Sequence, residues 1–127
     1  RDAADKMAEL FRILFRRADS PIPRSQAQRF VLQTVVAMFA EDIDLLPSST
    51  IQTIVTDCLE NHQSAFDLFG GLFNQMNSPV PATGGRFKGI RYFNGGLFKI
   101  IEPVELRRVE LQLVGGVGGA AKLNEFA

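Results

Sequence analysis

The sequence predicts a mainly α protein, a four- to five-helix bundle carrying a small β-hairpin near residues 90–100. Three observations lead there. Apolar residues recur at helical spacing from Met7 to Met76. Proline- and glycine-containing clusters separate those runs, where a helix cannot continue. The segment Tyr92-Phe93-Asn94-Gly95-Gly96-Leu97-Phe98 sets Asn-Gly between two apolar limbs, which is a strong hairpin signal because a two-residue reversal needs positive φ.

The first helix is marked by Met7, Leu10, Phe11, Leu14, Phe15 and Ala18, with acids early and Arg12, Arg16 and Arg17 late, as the helix dipole favours. Ser20-Pro21-Ile22-Pro23 stops it. A second helix, from about Ser25 to Asp42, carries Ala27, Phe30, Val31, Val35, Met38 and Phe39, broadened by Leu32 and Val36, and so belongs in the middle of the bundle. Pro47-Ser48-Ser49-Thr50 offers a cap for a third helix with Ile51, Ile54, Val55, Cys58 and Leu59 on its core face. A fourth starts at Ser64, with Asp67 three residues on, and buries Ala65, Phe66, Phe69, Phe73 and Met76. Gly70-Gly71 interrupts it at about 1 kcal/mol each relative to Ala, so the pair is expected to serve a close contact or a kink. After the hairpin a last element begins at Pro103. Its period is ambiguous between strand and helix, and residues 115–119 read as a glycine-rich exit linker.

A chain of 127 residues, 46% hydrophobic with eleven Phe, forms one domain around one core. No apolar run approaches the ~20 residues needed to span a bilayer. Lone Cys58 cannot form an internal disulfide, so a reducing cytoplasm is expected. A start at Arg1 rather than Met is read as a piece of a longer protein.

Zero net charge hides an uneven distribution. Between Arg29 and Arg86 there is no Lys or Arg, while Glu41, Asp42, Asp44, Asp57, Glu60 and Asp67 are acidic; Arg86, Lys88, Arg91 and Lys99 then follow with no acid among them. These four are the candidate contacts to a phosphate backbone. The plainer reading is two solvated faces, or faces that meet each other.

No residue set completes an active site. Cys58 and His62, one turn apart, supply at most two metal ligands, so no metal is expected. Glu41, Asp42 and Asp44 lack a basic partner nearby in sequence and read as a solvated or neighbour-contacting turn. G-x-G-x-x-A within residues 114–121 lacks the further βαβ units of a dinucleotide fold. The glycines after Asn94 lack the strand-to-helix setting of a loop for S-adenosylmethionine.

FAEDIDLLP (Phe39 to Pro47), LFNQM (Leu72 to Met76), GGRFKG (Gly84 to Gly89) and IRYFNGGLF (Ile90 to Phe98), in that order, resemble one stretch of the MmeI-like, type IIL restriction-modification proteins and related adenine-specific DNA methyltransferases. The resemblance runs from about Glu9 to Leu123. It implies a single helical spacer domain over residues 1–127 that positions neighbouring methyltransferase and nuclease domains of the same chain. DNA would be touched only weakly or indirectly, through Arg86, Lys88, Arg91 and Lys99. Phe93, Asn94, Gly95, Gly96, Leu97 and Phe98 would form the structural motif. It also implies that S-adenosylmethionine and the catalytic Asn-Pro-Pro-Tyr or Phe tetrad belong to the larger protein and not to this segment, which is expected to be inert. The competing expectation is a stand-alone helical protein-protein interaction module unrelated to DNA.

Overall fold

The computed structural model describes residues 2–118, which hold five helices and, among the described residues, no strand. Helix α1 (Asp2–Phe15) buries Ala3, Met7, Leu10 and Leu14, one stripe at alternating spacings of four and three. The chain then folds back, with the Ile22 amide donating to the Leu14 carbonyl (3.0 Å). Pro23 stands just before α2 (Arg24–Asp42), a position where its missing N–H costs nothing.

Helix α2 is turned about its axis relative to the expected stripe. Gln33 and Thr34 are buried, whereas Leu32 is 49% exposed. Both buried polar groups have partners: the Thr34 hydroxyl donates to the Phe30 carbonyl (2.8 Å), and the Gln33 amide donates to the carbonyls of Leu97 (3.0 Å) and Ile100 (2.9 Å). That second arrangement explains the rotation. Burying an amide side chain stabilises only if its hydrogen bonds are made, and here they fasten an irregular strap to the bundle.

Helices α3 (Thr50–Glu60) and α4 (Ala65–Met76) follow. The Ser64 hydroxyl accepts from the Asp67 amide (3.1 Å), as the sequence predicts. Phe69, Phe73 and Met76 are buried, but Phe66 is 48% exposed and does not belong to the core. Phe30, Phe69, Phe73, Phe98 and Phe93 make a connected cluster, with ring centroids 5.4–6.1 Å apart and tilted or edge-on geometry.

The expected hairpin is absent. Tyr92-Phe93 and Leu97-Phe98 do not pair with each other; their backbone groups are claimed by the helical body instead. Phe93 N–H donates to the Met76 carbonyl (2.7 Å), Arg91 N–H to the Leu45 carbonyl (3.0 Å), and the Gln33 side chain takes the Leu97 carbonyl. Positive φ falls at Gly95 (+152°) and Gly96 (+80°), not at Asn94, so the reversal is not the Asn-Gly turn of a hairpin. Phe98, fully buried against Phe73, and Phe93 beside it point into the same core, which pins the loop to the bundle.

Residues 77–107 therefore form one long strap across α2 and α4. At Gly71 an added Cβ would lie 2.5 Å from the Phe87 ring, and at Gly70 one would lie 2.9 Å from Pro103 Cγ. The glycine pair thus serves close approach of the strap, and α4 runs unbroken through it. The last helix begins at Arg108, not at Pro103; residues 101–107 have no regular secondary structure and belong to the strap.

Helix α5 (Arg108–Gly118) packs against α3 and α1. The glycine run expected to be an exit linker is helical as far as Gly118; Gly119 lies outside the described residues. Packing decides this against propensity, since an added Cβ on Gly115 would stand 3.0 Å from Val55 on α3. Helices α1 and α5 run antiparallel. Arg17, just past the end of α1, meets Glu110 in the first turn of α5, while a Cβ on Gly116 near the end of α5 would lie 3.2 Å from Lys6 Nζ, near the start of α1. The start of α1 and the end of α5 consequently share one end of the domain.

Candidate functional site

Three glutamates serve helix starts. Glu41, near the end of α2, accepts from the Ser49 amide (2.9 Å) and the Ile51 amide (3.1 Å), capping α3, whose own Ser49 side chain makes no capping bond. Glu105 in the strap accepts from the Ser64 hydroxyl (2.6 Å) and the Ala65 amide (2.8 Å) at the start of α4. Glu110 accepts from the Arg107 amide (2.8 Å) just before α5. Each places a carboxylate where the first-turn N–H groups lack intrahelical acceptors and the dipole favours negative charge.

The four expected phosphate-contacting residues do not all border one hollow. Arg86 pairs with Asp57 on α3 (2.8 Å), and this contact, with a further hydrogen bond from Asn61 (2.9 Å), holds the Asp57 carboxyl below its usual range. Arg86 and Lys88 border a small hollow of about 210 Å³ with Pro47, Ser48 and Thr50. Arg91 borders a different hollow, beside Ser78, Pro79 and Tyr92; Lys99 borders neither. Lys88, Arg91 and Lys99 are exposed.

A second basic region was not legible in the sequence. Arg12 and Ile13 of α1, with Arg16 and Arg17 just past its end, and Arg107, Arg108 and Val109 around the start of α5 line an open groove of about 830 Å³, with Glu9 and Glu110 completing the lining. Arg17 is held by Glu110 through two bonds (2.5 and 3.0 Å), and Arg107 by Asp19 (3.2 Å). Arg12, Arg16 and Arg108 are exposed and have no carboxylate partner among the described residues; the Arg16 guanidinium lies 5.4 Å from the Phe15 ring centroid. The only hint in the sequence is the late run of arginines in α1, which the helix dipole already accounts for.

Among the described residues no group of His, Cys, Asp and Glu is placed to hold a metal ion. Cys58 is buried on the core face, as expected, and burial pushes its thiol up from the ordinary value. His62 is exposed with φ +55°, just past the end of α3. No helix of the described residues is long and apolar enough to cross a membrane.

The two most distinctive sequence motifs meet in space. Leu45 of FAEDIDLLP accepts the amide of Arg91, and an added Cβ on Gly89 of GGRFKG would lie 3.2 Å from Pro47. The domain is helical, with a long strap fastened across it and several of its ionic residues placed as caps and braces. Its residues 25–98, more than half of the chain, match the family described as MmeI, helicase spacer domain, and the chain belongs to that family. It is thus a helical spacer of a restriction-modification protein. Comparison with curated proteins and with solved structures finds no match in either.

Proposed function

We propose that this domain is the scaffold that holds neighbouring methyltransferase and nuclease domains in register within an S-adenosylmethionine-dependent, adenine-specific DNA methyltransferase. Catalysis and cofactor binding belong to those neighbours, DNA is contacted only through its backbone, and the protein works in the cytoplasm. One observation carries the scaffold reading: α1 and α5 are antiparallel and cross-braced, so segments joined to the start of α1 and to the end of α5 would leave from the same end of the domain. Such a module sets two neighbours side by side at a fixed angle rather than separating them along a rod. Family membership supports it over a stand-alone interaction module. Of the candidate edge, Lys88, Arg91 and Lys99 remain available to phosphate, with Arg86 turned partly to Asp57.

The test loosens the brace in the parent protein. Arg17→Ala with Glu110→Ala should lower methylation and cleavage together while leaving S-adenosylmethionine affinity unchanged, because the lost quantity is relative placement. Unchanged rates in a variant shown to have lost the brace would overturn the scaffold role, and a fall in cofactor affinity would place the domain within the cofactor site.

A further inference from the structure

The groove between α1 and the start of α5 lies wholly outside residues 25–98, so family membership does not account for it. It concentrates five arginines against two glutamates, and Glu110 is already occupied by Arg17 and the Arg107 amide. Arg16, just past the end of α1, donates its N–H to the Arg12 carbonyl (3.0 Å), which continues the helical turn and sets the two residues about 6 Å apart along the axis, so their guanidinium groups form a row rather than a point. Arg108 stands across the groove. Beside it are the first-turn N–H groups of α5, which have no intrahelical acceptors and carry the positive end of the dipole. Ile13 of α1 and Val109 of α5, the latter 58% exposed, also line the groove.

Guanidinium groups match phosphate geometry and are weakly hydrated, and a row of them along an open groove suits a repeating anion better than a single one. Apolar side chains among the cationic ones suit the sugar that separates successive phosphates. We propose that this groove binds the phosphate backbone of duplex DNA through Arg12, Arg16 and Arg108, while Arg17 and Arg107, held by carboxylates, fix the walls. The choice of DNA as the anion rests on the restriction-modification reading above. These contacts carry no base information, so binding is independent of sequence.

The test uses the 127-residue chain with a fluorescently labelled short DNA duplex, read by anisotropy between about 50 and 200 mM salt. Arg12→Ala, Arg16→Ala and Arg108→Ala combined should weaken binding at least tenfold at the low-salt end. The dependence of log affinity on log salt should flatten by up to about 2.7, at ~0.9 per lost contact. A triple variant with affinity and salt slope equal to the unaltered chain, at unchanged circular dichroism, overturns the proposal. So does absence of salt-dependent binding by the unaltered chain, or loss confined to a Lys88→Ala, Arg91→Ala, Lys99→Ala comparator. Poly-L-glutamate binding in the groove more tightly than the duplex would assign it to an acidic protein segment instead. Arg17 and Glu110, altered in the scaffold test, also line this groove, so the DNA affinity of that double variant is read beside its rates: lowered rates at unchanged DNA affinity are loss of placement, whereas rates that fall in step with DNA affinity are loss of the groove.

Discussion

Arg17 and Glu110, 93 positions apart, form a buried two-point ion pair that closes α1 against α5; the side chains are 6% and 2% exposed. Glu110 also accepts the Arg107 amide, so one carboxylate both starts a helix and ties it to its neighbour. Removing a single partner strands a charge in the interior. Glu110→Ala should therefore destabilise the domain by about 3–5 kcal/mol in denaturant unfolding, whereas Arg17→Met with Glu110→Leu should cost markedly less. Equal losses in the single and double variants would show that packing, not the unpaired charge, sets the cost.

The Glu105 carboxylate stands at the start of α4 although it comes from a strap 40 positions further along the chain. Glu105→Ala removes the acceptor of the Ser64 hydroxyl and of the Ala65 amide, and should cost about 0.5–2 kcal/mol, the range for loss of a cap. Glu105→Gln, which keeps an acceptor oxygen, should cost less. Thermal midpoints of the two variants give the comparison.

Gly71 is predicted to tolerate no side chain, because the obstructing group is the Phe87 ring, with atoms 2.5 and 2.8 Å from an added Cβ. Gly71→Ala should destabilise by about 1–3 kcal/mol through overpacking. Combining it with Phe87→Leu should recover part of the loss. Identical midpoints for Gly71→Ala and the unaltered chain would mean that the strap lifts freely from α4.

The Asp57 and Arg86 pair gives a pH-dependent contribution of defined sign. Contact with Arg86 lowers the folded-state pKa of Asp57, so its stabilisation is fully present above the unfolded value, near pH 4, and is lost as pH falls through the folded value. The stability gap between the unaltered chain and Arg86→Ala should be constant near neutrality and narrow below about pH 4. A gap that persists undiminished in acid would assign the effect of Arg86 to packing over the α3 surface.

Gly96, at φ +80°, with Gly95 beside it, makes the bend that returns the strap to the core at Phe98. Gly96→Val should cost about 1–3 kcal/mol, since a β-branched residue is strained there. Reduced burial of Phe98, seen as faster hydrogen exchange at Leu97 to Lys99, should accompany it.

The four helices from Met7 to Met76 were legible in the sequence because a buried stripe at helical spacing is a local property of each segment. Ser64 capping, Cys58 burial and the stops at Pro21 and Pro23 are local for the same reason. The order of FAEDIDLLP and YFNGGLF, both within the matched residues, was enough to place the family. What tertiary structure alone decided is wherever a polar group had to choose between a near partner and a distant one. Asn94-Gly95 favours a hairpin locally, yet the carbonyls of Leu45 and Met76 and the amide of Gln33 took the bonds that strand pairing would have made. Gly115, Gly116 and Gly118 favour a linker locally, yet the helix runs through Gly118, with Gly115 packed close on Val55 and Gly116 close to Lys6. The arginine groove follows the same logic: Arg12 and Arg108 line one groove because α1 and α5 lie antiparallel, and a long-range arrangement of that kind is set by how the helices bury their stripes together, which no single segment encodes.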